Sequence, residues 1–214
     1  MKKIAQYLVL SLCVALNGVA CALALRVAIG VGPYDALTQN LSELIHIKVG
    51  TMGMILNISC VVGQLILLKK KFNILHFLQI PLSILFGMVV NFMFYEIFVF
   101  EVPSYWLKVI ILAGVYVWCG FAVGGVMVIN KVTFALEGLC MVVSQKIHKK
   151  FHVVRQGVDV LSIILCLIFT FGFGLPLVVR EGTVMGMLIY GPSLGIAMKI
   201  EKRLFKKLNL LDYE

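Results

Sequence analysis

Six long apolar runs constrain this chain more than any other feature of its sequence. They cover residues 5–28, 50–68, 74–98, 105–129, 153–174 and 182–199. A helix needs about 20 consecutive apolar residues to cross the hydrocarbon core of a bilayer, so each run is long enough to span it. Hydrophobic residues make up 61% of the chain and charged residues 14%, whereas soluble domains average about 45–50% and about 25%. The sequence therefore predicts an all-α, polytopic membrane helix bundle with six transmembrane helices, forming a single membrane domain over residues 1–214.

Basic residues are distributed unevenly between the two sets of span ends. Fifteen of the 19 Lys and Arg residues lie at one set, including a basic tail at 201–214. The remaining four are Arg26, Lys48, Lys108 and Arg180. The positive-inside rule then predicts a multi-pass protein of the cell (cytoplasmic) membrane with its N- and C-termini in the cytoplasm. Nucleic-acid binding is not expected, because a basic face needs a soluble scaffold to present it.

Polar residues recur at a constant offset of 102 positions. The matched pairs are Asp35 and Glu137, Ser42 and Ser144, His46 and His148, Lys48 and Lys150, and Asn57 and Asp159. This pattern predicts two repeats, at about 5–100 and about 104–200, each with three spans and one short non-spanning helix (33–47 and 134–148). Because three spans are an odd number, the second repeat would be inverted relative to the first. The pattern does not distinguish re-entrant helices from interfacial ones.

The short segment that begins at Pro33 carries the first group of candidate site residues. Proline suits the first turn of a helix, where its missing N–H would be unpaired anyway, and Asp35 then lies where a negative charge is favoured by the helix dipole. One interpretation is that Asp35 only stabilises the helix start. The other is that Asp35, with Tyr34 and Thr38, faces a cavity and contacts a ligand or a coupling ion.

A second group of candidates lies in the second half of the chain. Asp159 is several residues inside the fifth span, where an ionisable group usually faces a partner or a water-filled cavity. Arg155 precedes it by four residues and so lies on the same helix face. The pair either anchors the helix in the headgroup region or forms part of a substrate or ion site. Glu137, the counterpart of Asp35, belongs to the same hypothesis.

The sequence gives no sign of an enzyme, a cofactor or a metal site. The six cysteines form no C-x-x-C motif, and nearly all lie in apolar runs, where cysteine behaves as a small packing residue. His46, His148 and His152 lack carboxylate or cysteine partners at ligand spacing. No nucleophile–base–acid set and no nucleotide-binding fingerprint is present.

Several short motifs carry a family resemblance. The segment Gly30-x-Gly32-Pro33-Tyr34-Asp35-x-Leu37, together with Arg155-x-x-x-Asp159 and Gly191-Pro192, resembles the YczE/YyaS/YitT family of small bacterial integral membrane proteins. The resemblance covers about residues 10–200. It implies a bacterial source and a place in the cytoplasmic membrane. Because that family is largely uncharacterised, the resemblance implies no particular activity.

These observations lead to two hypotheses about function. The first is a small secondary transporter or permease-like protein of unknown substrate, as the inverted repeats and the intramembrane charges suggest. The alternative is a non-catalytic binding or accessory subunit of a transport or membrane-enzyme complex. Under either hypothesis, the expected partners of the protein are the lipid bilayer, a small-molecule or ion substrate, and either a second copy or another membrane protein. The predicted substrate- or ion-binding residues are Pro33, Tyr34, Asp35, Thr38, Glu137, Arg155 and Asp159.

Overall fold

The computed structural model describes residues 2–208, 210 and 211, and in this part the protein is all-helical. Six of its helical segments are long and apolar enough to cross a membrane, which confirms the predicted number of spans. The helices are α1 (Lys2–Val27), α2 (Pro33–Leu44), α3 (Val49–Leu68), α4 (Ile74–Phe77), α5 (Gln79–Phe92), α6 (Tyr105–Ile129), α7 (Ala135–Lys146), α8 (Phe151–Phe173) and α9 (Glu181–Lys207).

Loop contacts show which span ends lie together. The Lys2 ammonium donates a hydrogen bond to the Leu211 carbonyl at 2.6 Å, so the two described chain ends share one end of the bundle. At the opposite end, Arg26 Nε donates to the Phe100 carbonyl at 2.6 Å. The Gly182 amide there donates to the Ile29 carbonyl at 2.8 Å. A chain that crosses the bundle an even number of times has both of its ends at the same end of the bundle, as observed here.

The third predicted span, 74–98, is not one regular helix. It begins with the short α4, continues as α5 and ends in a π-helical turn over Met93–Ile97. Pro81 lies in the first turn of α5, where a proline removes no intrahelical hydrogen bond. The break before α5 therefore lies close to Pro81, a residue type that is disfavoured in helix interiors. The hydropathy pattern alone did not predict this break.

The last helix is longer than its apolar run. The sixth span was predicted to end at Lys199, but α9 continues to Lys207 and includes much of the predicted basic tail. The reason is Phe205, which is buried against Leu10 and Cys13 of α1 and anchors the extra turns to the bundle. Residues 209 and 212–214 of the predicted tail lie outside the described residues.

Helix packing differs between the two halves. In the first half, α3 and α5 touch where Gly50 faces the Gly87 carbonyl so closely that a Cβ at either position would collide with the facing backbone. Glycine permits such close approach between membrane helices. Asn91 reinforces this α3–α5 contact, since its Oδ1 accepts a hydrogen bond from the Gly50 amide at 2.8 Å. In the second half, α8 packs against α2 and α7, whereas α9 packs against α6.

Local backbone features recur at the 102-residue offset. Helix α2 begins at Pro33 and α7 at Ala135, and each has 12 residues. The residues before and after these helices adopt left-handed conformations at matching positions. With φ in parentheses, they are Ala28 (57°) and Asn130 (50°), then His46 (55°) and His148 (55°).

Candidate functional site

A cavity of about 370 Å³ lies inside the bundle. Its wall includes Asn17 of α1, Asn57 of α3 and Cys119 of α6, which lie near the middle of their helices. The first turns of α2 and α7 line the same cavity. Both short helices therefore begin in the interior of the bundle and run outward to its surface.

The start of α2 places Asp35 at the cavity wall. Gly32 is the N-cap and Pro33 the first helical residue, as the sequence predicted. A Cβ on Gly32 would lie 3.3 Å from Asp35 Oδ2, so the carboxylate folds back over the beginning of its own helix. In this position Asp35 meets the helix dipole and the cavity at the same time. The two interpretations of Asp35 are therefore geometrically compatible.

Burial dominates the electrostatics of Asp35. It raises the pKa of this carboxyl from 3.8 to about 6, although the Arg155 guanidinium lowers it in part and the carboxylates of Glu137 and Asp159 raise it further. In the described residues, no Lys, Arg or His side chain forms an ion pair with Asp35 within 4 Å. Asp35 is therefore a cavity carboxylate that lacks its own counter-charge.

The start of α7 is arranged differently, because its acidic residue is paired. Arg155 Nη1 donates to Asp159 Oδ1 one turn further along α8, and Arg155 Nε lies 3.7 Å from Glu137 Oε1. All three side chains line the cavity, and each keeps between 20% and 25% of its surface exposed. Arg155 thus pairs with two carboxylates and compensates the charge of one of them; we call this group the Arg155 cluster (Glu137, Arg155 and Asp159).

Aromatic side chains form much of the remaining wall. They are Tyr34, Phe86, Tyr116, Phe134 and Tyr190. The Tyr116 hydroxyl donates to the Gly182 carbonyl at 2.7 Å, so this residue contributes its ring, and not a vacant hydroxyl, to the cavity. Gly186 makes room for that ring, since a Cβ there would lie 2.7 Å from Tyr116 Cζ. The wall is therefore largely apolar and aromatic apart from its charged groups.

Buried amides hold the two short helices in place. Under α7, Gln64 Nε2 donates to Gln79 Oε1 at 2.8 Å and to the Ala135 carbonyl at 3.0 Å. Beside α2, Asn40 Nδ2 donates to the Cys166 carbonyl of α8 at 3.2 Å. Interhelical hydrogen bonds of this kind contribute about 1 kcal/mol each in membrane proteins. The start of α7 and the second half of α2 are thus held against neighbouring spans.

Six of the seven predicted site residues lie on this one cavity: Pro33, Tyr34, Asp35, Glu137, Arg155 and Asp159. Thr38 does not, because its hydroxyl donates back to the Tyr34 carbonyl at 2.9 Å and it lines a small neighbouring cavity. That these residues bind a ligand stays a prediction.

Five further residues line the cavity that were not among the predicted site residues: Asn17, Asn57, Tyr116, Cys119 and Tyr190. Asn57 carried a usable signal, since it is the 102-offset counterpart of Asp159. The two tyrosines carried none, because an aromatic residue in an apolar run is more often a packing residue. In the described part of the chain, no group of three or more His, Cys, Asp or Glu side chains is arranged to hold a metal ion.

A family model matches residues 4–199, which include both short helices and the whole cavity wall. The chain belongs to DUF6198, a family of unknown function. This match supports an uncharacterised membrane protein family, whereas the narrower resemblance to YczE/YyaS/YitT stays a prediction. No curated protein and no solved structure matches the chain.

Proposed function

We propose that this protein is a small, non-enzymatic secondary transporter or permease-like protein that binds its solute in the central cavity. One observation carries the proposal: the starts of α2 and α7 bring Asp35 and the Arg155 cluster to one cavity inside a six-span bundle. Short helices that begin at a central site are a recurrent arrangement in transporters. A volume of about 370 Å³ also falls within the range of roughly 300–1,000 Å³ for small-molecule sites.

The proposal includes an inverted duplication. The 102-residue offset aligns the starts of α2 and α7 and the left-handed residues before and after them. With three spans in each unit, α2 enters from the end of the bundle that holds Arg26, and α7 enters from the end that holds Lys2. In this reading both short helices are re-entrant, and each half contributes one of them to the site. Such pairs allow one half to rock against the other around a fixed site.

The charge distribution supplies the proposed orientation. The end that holds Lys2 also carries most of the basic residues, so it would face the cytoplasm. Helix α7 would then lie on the cytoplasmic side and α2 on the outer side of the bacterial cytoplasmic membrane. Tags added to the N-terminus and to the 98–104 loop test this orientation, because only the loop tag should react with an impermeant reagent on intact cells.

Solute flux in liposomes tests the transport proposal. The purified protein is reconstituted, and uptake of a panel of small cations, anions and neutral solutes is compared with that of empty liposomes. Asp35→Asn and Asp159→Asn should reduce uptake of the transported solute. Glu43→Gln is the matched control, because Glu43 is on α2 but outside the cavity wall. Absence of flux for every solute, or unchanged flux in both cavity variants, would exclude this function.

The accessory-subunit alternative draws on the packing of α8 and α9. In the described chain, these two helices share no contact comparable to the α3–α5 contact, so the space between them could receive a partner's helix. Purification in mild detergent distinguishes the alternatives. A stoichiometric partner held by α8 and α9, together with no flux in liposomes, would favour the accessory role.

A further inference from the structure

We propose that the central cavity binds a small organic monocation, with Asp35 as its counter-charge. This inference rests on the proposed function in one respect, namely that the cavity is a solute site. It concerns the chemical class of the solute, which the charges and the aromatic wall of the cavity each limit.

The charges of the cavity wall leave a deficit of positive charge. Three carboxylates line the cavity, and the Arg155 guanidinium is the single Lys or Arg side chain among the wall residues that the structure describes. Two of those carboxylates already pair with Arg155, whereas Asp35 has no ion pair within 4 Å among the described residues. The starts of α2 and α7 each add about half a positive charge. The sum is close to one uncompensated negative charge, which a monocation would neutralise.

The aromatic wall favours an organic cation over a hydrated inorganic one. Ring faces attract alkylammonium groups and contribute about 0.5–2 kcal/mol each when the site is desolvated. Tyr34 and Tyr116 use their hydroxyls in hydrogen bonds to Asn57 (3.5 Å) and to the Gly182 carbonyl (2.7 Å), so both offer rings to a ligand. A small inorganic cation would instead need several oxygen ligands around it. The described residues offer no group of three acidic, histidine or cysteine side chains that could hold a metal ion.

An anion fits this cavity less well, although helix starts often bind anions. Asp35 and Glu137 lie in the first turns of the two short helices and so place a carboxylate at each of those starts. An incoming anion would meet these negative groups first. The guanidinium of Arg155, which would otherwise attract it, is occupied by Glu137 and Asp159.

Two series of isosteric probes test this inference on the unmodified protein. One series is choline, the neutral 3,3-dimethylbutan-1-ol and the anionic 3,3-dimethylbutanoate. The other is 2-phenylethylammonium, 2-phenylethanol and phenylacetate. Binding to the purified protein in detergent is measured by calorimetry and by the shift in melting temperature. At least one cation should bind, and should bind more tightly than its neutral and anionic isosteres. Lack of binding by both cations, or equal binding within each series, would overturn the inference.

Matched variants then locate the binding site. Asp35→Asn should weaken cation binding about tenfold or more, as expected when one partner of a desolvated charge pair is removed. Glu43→Gln should leave it unchanged, because Glu43 is on the same helix but outside the cavity wall. Gel filtration confirms that both variants are folded, and Asp35→Glu should restore part of the affinity if the charge is what matters. Unchanged affinity in folded Asp35→Asn would overturn the assignment of Asp35.

The outcomes separate this inference from the transport proposal. Cation binding that depends on Asp35, without flux of any solute, would support the inference and exclude the transport proposal. Flux of a neutral or anionic solute, with no cation binding, would support the transporter and overturn the inference.

Discussion

The two short helices have the same local geometry, but in the described chain the acidic residue in the first turn is paired with an arginine in only one of them. Helices α2 and α7 each have 12 residues, and each carries one acidic residue in its first turn at the cavity. Glu137 on α7 lies 3.7 Å from the Arg155 guanidinium, whereas Asp35 on α2 has no such pair in the part of the chain described. The backbone geometry of the site is therefore common to both halves, whereas the carboxylate that has no ion pair belongs to α2 alone among the described residues.

A second difference concerns the spans that enclose these helices. In the first half α3 and α5 are held together through Gly50, Gly87 and Asn91. In the second half α8 packs against α2 and α7, and α9 packs against α6. The first half thus contains two spans in direct backbone contact. In the described residues, α8 and α9 share no comparable contact, so we expect the second half to contain the more movable wall.

The largest effect should come from breaking the α3–α5 contact. Gly50→Val would push a side chain into the Gly87 carbonyl and Asn91, and should cost about 3 kcal/mol of stability, as overpacking does. Gly157→Val on α8 is the matched control, because no heavy atom lies within 4 Å of a Cβ at that position. The apparent melting temperature in detergent measures both. Equal melting temperatures for the two variants would contradict the difference between the halves.

The next largest effect should come from removing the cation of the Arg155 cluster. Arg155→Met leaves two partly buried carboxylates close together, and should cost about 2 kcal/mol, less than a fully buried pair would. The control is Arg180→Met, since Arg180 and Glu181 are 45% and 58% exposed and such surface pairs contribute at most about 1 kcal/mol.

A double variant checks the cause of that loss. Arg155→Met combined with Asp159→Asn should be more stable than Arg155→Met alone, because one of the unpaired charges is gone. A double variant that is less stable would show that Arg155 acts through packing and not through charge.

The sequence was sufficient to predict features that depend on local pattern. The fourth span was placed at residues 105–129, where α6 lies, because length and hydropathy define a span without reference to the rest of the fold. The pairing of Arg155 with Asp159 followed from their four-residue spacing on a helix. The breaks in the third span were not predicted although Pro81 is visible early in that run, because hydropathy alone does not locate a helix break. The extension of α9 was missed because it depends on the tertiary burial of Phe205.

Features that depend on how the halves pack were beyond the sequence. Nothing in the pattern indicated that Glu137 would contact Arg155, or that Asp35 would have no such partner. Tyr116 and Tyr190 lie in apolar runs and gave no signal of a cavity. The residues of the candidate site could therefore be predicted, but the pairing of Glu137 with Arg155 and the lack of an ion pair at Asp35 among the described residues could not.

The rate of chemical modification of Cys119 should depend on the charge of the reagent, and this effect should be of moderate size. Cys119 lines the cavity and is partly exposed, whereas the other cysteines, Cys13, Cys21, Cys60, Cys140 and Cys166, are buried. A trimethylammonium methanethiosulfonate should modify it severalfold faster than a sulfonate analogue, after both rates are normalised to a free thiol, because the wall is negative. Intact-mass spectrometry follows the reaction, and Cys119→Ser should abolish it.

The same reaction tests which carboxylate sets the preference. Asp35→Asn should bring the two normalised rates closer together, whereas Glu43→Gln should not change their ratio. A cavity that prefers the sulfonate reagent would contradict a negative wall.

The smallest effect should be a pH dependence of stability that comes from Asp35. Its pKa is raised to about 6 in the folded protein, mainly by burial, against 3.8 ordinarily. The stability contributed by protonation is then fully present below about pH 4 and is lost as the pH rises through about 6. Lowering the pH from 7.5 to 5 should therefore stabilise the wild type relative to Asp35→Asn by about 1 kcal/mol or less.

The groups that face Asp35 keep this test specific. They are Cys21 of α1, Tyr116 and Cys119 of α6, Glu137 of α7, Arg155 and Asp159 of α8, and Tyr190 of α9. All of them remain in the variant, so the difference between wild type and Asp35→Asn reports the Asp35 carboxyl. Melting temperatures across this pH range measure it, with Glu43→Gln as the control. Cation binding should change in the opposite direction and weaken towards pH 5, because protonated Asp35 has no charge to offer. If binding and stability both increased on acidification, Asp35 could not be the counter-charge.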